Sequence, residues 1–286
     1  PIYMGIELGY FEEEGLEVDY LFGSASDIIR NVAVGNVEFG FPNGEPVITA
    51  RAQGIPVNVI HTTYQHGLGS TIFLKESGIE TPQDLKGKKV AITAYGSPNY
   101  VQLQILLKKN GLSLNDIQLE IVGTEAIVPA LVNKRVDAIC FSMLRTFELR
   151  YQGIEVDEFR SDEFLPSFGN VVVTGDKILN ENRDLAVRFT RALSRVMAYL
   201  SDPENMKEAT VVAIAKYAPT YIGREEYMAE ILSEIYAGYL WQSEDTKAFG
   251  FGFGNVERWQ QTIDIMREYD LITTDVNAAD FVIPRL

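Results

Sequence analysis

Residues 1–18 read Pro1-Ile2-Tyr3-Met4-Gly5-Ile6-Glu7-Leu8-Gly9-Tyr10-Phe11-Glu12-Glu13-Glu14-Gly15-Leu16-Glu17-Val18, and residues 77–91 read Ser77-Gly78-Ile79-Glu80-Thr81-Pro82-Gln83-Asp84-Leu85-Lys86-Gly87-Lys88-Lys89-Val90-Ala91. The first stretch predicts a short helix, a tight turn and a strand over Leu16–Leu21. The second predicts a turn, a capped helical turn at Pro82–Leu85 and a strand over Lys89–Thr93.

Outward from these stretches the same alternation continues. A helix is expected over Asp27–Val34, capped by Ser26 and stopped by Gly35, then a strand at Val37–Phe41 and a helix at Glu45–Gln53 ended by Gly54. Strands are expected at Val57–Thr63 and Thr71–Lys75, a helix at Asn99–Asn110, and strands at Gln118–Val122 and Asp137–Phe141 around a helix at Ala126–Asn133. Strands alternating with helices predict an α/β fold of parallel sheets covered by helices. After about Thr174 four helical segments follow: Asn182–Leu200, Pro203–Tyr217, Arg224–Tyr239 and Val256–Tyr269. The first carries Leu185, Phe189, Ala192, Leu193, Val196 and Leu200 at helical spacing, a stripe that packs on a sheet.

Composition narrows the function. The 286 residues are 46% hydrophobic and 23% charged, enough for one large or two medium folded units. No apolar run approaches the ~20 residues of a membrane-spanning helix, and no basic-then-apolar leader opens the sequence, so an export signal is expected to have been removed. A formal charge of −15 argues against nucleic acid or anionic lipid as partners. The single cysteine, Cys140, rules out an internal disulfide. With only two histidines beside it, it makes a Cys/His zinc site a poor reading. No Gly-x-Ser-x-Gly elbow is present.

In open α/β sheets ligands sit beyond the carboxyl ends of the strands. That rule selects the strand end Phe41 with Asn43 and Glu45, then Tyr64 with Gln65 and His66, then Tyr95-Gly96-Ser97-Pro98, Thr124, Phe141 and Arg145. Ser97 and Pro98 are a helix cap and first-turn proline, whose free amides seat a hydrogen-bond acceptor. Tyr64 offers a stacking face and His66 a hydrogen bond near neutrality. Glu45 accepts from ring or exocyclic N–H groups, Arg145 pairs with an anionic group, and Asn170, with Phe168, lies just before the chain's return at Thr174. His61, inside a strand, reads as a core residue. The Phe-Gly run Phe249–Gly254 has dinucleotide-like spacing but follows no expected strand, so it reads as a turn.

The two opening stretches together resemble the solute-binding proteins of ABC importers, in the branch that takes aliphatic sulfonates, nitrate and pyrimidine precursors of thiamine. Val34-Gly35-Asn36-Val37-Glu38-Phe39-Gly40, Ala50-Arg51-Ala52-Gln53-Gly54-Ile55-Pro56-Val57 and Val136-Asp137-Ala138 carry the likeness onward. Lys134 or Arg135 stands where glycine is usual in the last of these. The resemblance implies the two-lobed periplasmic-binding-protein fold of type II, with two strand crossovers and a ligand cleft between the lobes. It divides the chain into lobe one, residues 1–70 and 175–286, and lobe two, residues 71–174. It implies a monomer that binds a ligand without catalysis, cofactor or metal, and passes it to the membrane subunits of an importer, at the periplasmic face or anchored by lipid at the cell surface. Tyr95-Gly96-Ser97-Pro98, Gln65-His66 and Glu45 look most like the pyrimidine branch, so a flat nitrogen heterocycle is expected: a thiamine pyrimidine precursor first, a riboflavin-like compound second. A sulfonate or nitrate is the alternative ligand. A pyrimidine-synthase-like enzyme of the same fold is the alternative function. Its fungal type carries a cysteine-rich iron cluster, from which this chain's lone Cys140 departs. Relatives also begin with a strand before the Pro-x-Tyr segment; a sheet without it exposes an unpaired edge.

Overall fold

The computed structural model describes residues Pro1–Leu286. Eight strands form two sheets. β1 (Phe39–Gly40), β2 (Val57–His61) and β8 (Val172–Gly175) make the first, in the order β1-β8-β2. β3 (Gly69–Leu74), β4 (Lys89–Ile92), β5 (Gln118–Ile121), β6 (Ala138–Ser142) and β7 (Val156–Arg160) make the second, in the order β5-β4-β6-β3-β7. The chain leaves the first sheet after β2 and returns to it at β8.

The sheets are mixed rather than parallel. β4 runs parallel to β5 and β6, as the helical connections require. β3 runs antiparallel to both β6 and β7, and β8 antiparallel to both β1 and β2. In each sheet the strand that arrives from the other lobe enters between two others and runs against them. The division expected at 174/175 falls inside β8, whose pairing puts residues 172–174 with the first sheet. Likewise β3 begins at Gly69, ahead of the expected 71.

Three local expectations also change. Leu16–Leu21 is unpaired: no strand lies beside it to take its backbone groups, and Leu21 and Phe22 stand in solvent. β1 is correspondingly an edge strand, bonded only to β8. The cap of the helix Ala25–Ala33 is Ser24, which accepts from Asp27 N at 3.2 Å, not Ser26. The segment expected as one helix over 224–239 is α-helical over Glu225–Ile231 and π-helical over Leu232–Leu240.

The core follows the sequence pattern. Phe189, Ala192, Leu193, Val196 and Leu200 are all buried on the helix Arg183–Leu200. In lobe one Trp259 stacks on Phe168 at 5.1 Å and meets Phe281 edge-on at 5.9 Å. Ile105, on the lobe-two helix Pro98–Lys109, is buried in that same core, and Met143 of lobe two is buried among the residues around Tyr64. The two lobes therefore interlock.

Candidate functional site

Glu45 is built into the seam. It follows β1 in the first turn of the helix Gly44–Ala52, where a carboxylate is favoured electrostatically. A Cβ on Gly44 would stand 3.0 Å from Phe168 O and 3.1 Å from Trp259, so any larger residue would crowd the start of the helix against the return segment. Glu45 is 1% exposed, and its Oε1 accepts from Gln102 Nε2 at 2.7 Å across the lobes. Burial pushes its carboxyl above the usual carboxylate range, against the opposing pull of hydrogen bonds from Gln102 and Ser167.

Phe41, Asn43, Tyr64 and Asn170 meet beside it. Asn170 Nδ2 donates to Phe41 O at 2.9 Å, Tyr64 N donates to Asn170 O at 2.9 Å, and Asn43 Nδ2 lies 3.4 Å from Asn170 Oδ1. Tyr64 packs edge-on to Phe41 (5.7 Å) and to Tyr236 (5.6 Å). From lobe two, Phe141 and Arg145 form a second group: the guanidinium sits 5.4 Å over the Phe141 ring. Arg145 Nη1 is taken by Glu148 Oε2 at 2.5 Å, and Tyr221 OH donates to Glu148 Oε1 at 3.2 Å. The expected anion partner thus already has a carboxylate partner.

His66 departs from expectation. Its ring stacks on Tyr239 at 4.1 Å, and Nε2 donates to Gln242 O at 3.0 Å. Burial lowers its pKa, so the ring is neutral around pH 7 and committed to the C-terminal helices. Gln65 is wholly buried, bonding Thr62 O, Phe253 O and Ser243 Oγ; it holds the floor together. His61 is a core residue, bonded to Thr63 and Ser194 and driven by burial to a pKa of about 3. The Phe-Gly run closes over it: Gly252 has φ +80, and a Cβ there would strike the His61 ring. Cys140 is buried beside Thr71, its thiol pushed up to about 12.

Tyr95, Gly96 and Ser97 lie apart from these groups, at the start of the helix Pro98–Lys109. Ser97 Oγ accepts from Tyr100 N at 3.3 Å and caps the helix Pro98–Lys109. Tyr95 is 61% exposed. A Cβ on Gly96 would stand 3.5 Å from Ser26 Oγ of lobe one. Thr124 is exposed at the start of the helix Thr124–Val132 and joins none of these groups. Sequence reasoning missed Gln102, Ser161, Ser167, Tyr236 and Tyr239. Of these only Ser161 follows a strand end, that of β7, which was not expected; the polar Gln102 on the buried side of its helix was the available signal.

Two sheets joined by crossing strands, with side chains of both lobes converging on the seam, define the periplasmic-binding-protein fold. The alkanesulfonate-binding protein SsuA from Xanthomonas axonopodis pv. citri, bound to MOPS, shares it: TM-score 0.73 and 17% identity, over 99% of this chain and 93% of that one. The family described as NMT1/THI5 like matches residues 1–206, and the chain belongs to it. Among relatives, the riboflavin-binding protein RibY of Chloroflexus aurantiacus is 26% identical over 97% of this chain and 79% of its own length. The formylaminopyrimidine-binding protein of Halalkalibacterium halodurans is 25% identical over 98% and 84%. A 4-amino-5-hydroxymethyl-2-methylpyrimidine phosphate synthase of Schizosaccharomyces pombe is 28% identical over 71% of this chain and 62% of its own length.

Proposed function

We propose that this chain is an extracytoplasmic solute-binding protein of an ABC importer. As a monomer it clasps one small, flat nitrogen heterocycle between its lobes and delivers it to the membrane permease. A thiamine pyrimidine precursor is the first candidate and a riboflavin-like compound the second. The observation that carries the reading is the pairing of an aromatic wall, Phe41–Tyr64–Tyr236, with a buried carboxyl, Glu45, at the interlobe seam. Rings of this kind stack on flat ligands for ~0.5–1.5 kcal/mol beyond area burial. A carboxyl suits ring and exocyclic N–H groups and repels a small anion. The relatives matched over nearly the whole chain are binding proteins for compounds of this class. Phe141 and Arg145 close the cleft from lobe two, with Tyr95, Gly96 and Ser97 at its mouth. Closure of the lobes by a hinge is the expected response to ligand.

The test is a thermal-shift and calorimetric series with 4-amino-5-hydroxymethyl-2-methylpyrimidine, riboflavin, an alkyl sulfonate and nitrate. A tight ligand raises the melting temperature by mass action; one of the two heterocycles is expected to do so with a stoichiometry of one. Tight binding of the sulfonate, with no response to either heterocycle, overturns the reading. Multiple turnovers of a bound ligand, lost in Glu45→Gln, select the synthase-like alternative that the shorter-matching relatives keep open.

A further inference from the structure

The C-terminal segment Pro219–Leu240 belongs to lobe one on one side and touches lobe two on the other. Its far end is anchored: Ala237, Leu240 and Trp241 are buried in the lobe-one core around Tyr64 and Leu193, and Leu240 O accepts from Gln65 N at 2.5 Å. Its near end reaches the lobe-two helix Leu144–Tyr151. There Tyr221 OH donates to Glu148 Oε1 at 3.2 Å, and the Tyr227 ring stacks on Tyr151 with centroids 3.8 Å apart and planes 18° from parallel. The change from α to π winding falls between the two ends, at Leu232. No backbone hydrogen bond joins the segment to that helix. A cavity of about 220 Å³ lies between them, lined by Phe147, Arg150 and Tyr151 on one side and Tyr227, Ile231 and Ile235 on the other.

The two ends differ in what it takes to part them. Withdrawing Ala237, Leu240 and Trp241 would open a packed core. Withdrawing Tyr221 and Tyr227 from lobe two breaks one hydrogen bond and one stacked pair, and the cavity beneath means that few close-packed atoms lose their neighbours. Tyr151 is 58% exposed, so its ring passes easily into water. We propose that Pro219–Leu240 is a strap: it stays with lobe one, and Tyr221 and Tyr227 fasten it to Glu148 and Tyr151 of lobe two, stabilising the lobes' closed arrangement from outside the ligand cleft. Ligand-driven hinge closure draws on contacts made by the ligand; the strap adds a contribution that no ligand makes. A pre-closed population raises apparent affinity in proportion and slows release. Tyr221 is also linked through Glu148 to Arg145, whose Nη1 donates to Glu148 Oε2, so one fastening ends on the helix that carries the Arg145–Phe141 pair. The inference needs the two-lobed fold and no choice of ligand; Tyr151, Tyr221 and Tyr227 stand outside the proposed ligand residues.

The experiment is pulsed electron paramagnetic resonance on protein with no ligand added. Nitroxide labels go on Arg30→Cys of lobe one and Glu125→Cys of lobe two, both exposed, while Cys140 is buried and takes no label. Four backgrounds are compared: wild type, Tyr151→Phe, Tyr151→Ala and Tyr151→Ala/Tyr221→Phe. Wild type and Tyr151→Phe, which keeps the stacked ring, should share one distance distribution dominated by the shorter distance. Tyr151→Ala should lower the short-to-long ratio roughly 2- to 12-fold, and the double variant by a further factor of the same size. Circular dichroism checks folding; Tyr151 is exposed and Tyr221→Phe removes a single oxygen, so the double variant should melt close to wild type, and a change in distance without a change in melting is what a merely structural role would not give. A wild type already dominated by the longer distance overturns the strap, as does a double variant whose distribution matches wild type. Tyr151→Phe as open as Tyr151→Ala overturns the stacked fastening. All of these outcomes leave the heterocycle-binding reading untouched, since no ligand enters the measurement.

Discussion

Lobe one and lobe two are built on one plan and meet the cleft differently. In each, the strand arriving from the other lobe inserts antiparallel between two neighbours. Lobe one has three strands and spends its long helices on covering them, so its contributions to the seam are locked: Glu45 and Tyr64 are buried, and Phe41 and Asn43 are tied to Asn170 of the return segment. Lobe two has five strands, and its loops after β4 and β5 are open: Tyr95, Gly96 and Thr124 face solvent. In the proposed reading lobe one is a preformed seat, while lobe two supplies a cover with buried side chains such as Gln102 and Met143 behind it. A binding protein that must hold and then release its ligand benefits from that division. Fixed groups orient the ligand without ordering cost, and exposed ones move without breaking a core.

The contrast has a stability consequence, and the largest expected effect lies in lobe one. Trp259 is 1% exposed and backs both Phe168 and Gly44. Trp259→Ala should destabilise the protein by about 3–5 kcal/mol in urea unfolding, and weaken ligand binding through the displaced start of the Glu45 helix. A loss below about 1 kcal/mol would mean that the lobe-one seat is not rigid, and the distinction between lobes would fail.

A smaller, pH-dependent effect is expected at Glu45. Burial raises its folded-state pKa, so the neutral acid is what the fold favours. The sign follows from linkage: the stability it permits is fully present below the unfolded value of 4.5 and is lost as pH rises from there through the raised folded value. Glu45→Gln keeps the shape and removes the titration. Its stability relative to wild type should therefore climb with pH across that window and level off above it. A stability difference that stays flat from pH 4 to pH 9 would show that the seam opens to water around this carboxyl.

The smallest effect belongs to the cover. Tyr95→Ala should leave the unfolding free energy within about ±0.5 kcal/mol, because the residue is 61% exposed and its ring meets Tyr100 edge-on at 5.2 Å. It should still weaken the heterocycle by roughly 2- to 12-fold, the ~0.5–1.5 kcal/mol of one stacking contact. Loss of stability without loss of affinity would reverse the roles of the two lobes at this position.

Much of this was legible in the chain. The alternation of strand and helix, the Phe189–Leu200 stripe, the capped turn at Pro82–Leu85 and the proline-led helix at Pro98 are local chemistry, and local chemistry survives folding. So are the strand-end positions of Phe41, Tyr64 and Phe141. What the sequence by itself determined is therefore which residues end strands and which residues face a core. Only the tertiary structure decided the partners. It ran β3 and β8 against their neighbours, because each is fed from the opposite lobe. It left Leu16–Leu21 unpaired, because a strand exists only where another lies beside it. It turned His66 onto Tyr239 and Gln242, and brought Gln102 from lobe two to Glu45. Spacing along a chain fixes direction and period, but contacts between residues 57 or more positions apart depend on how the lobes close, which no local pattern encodes.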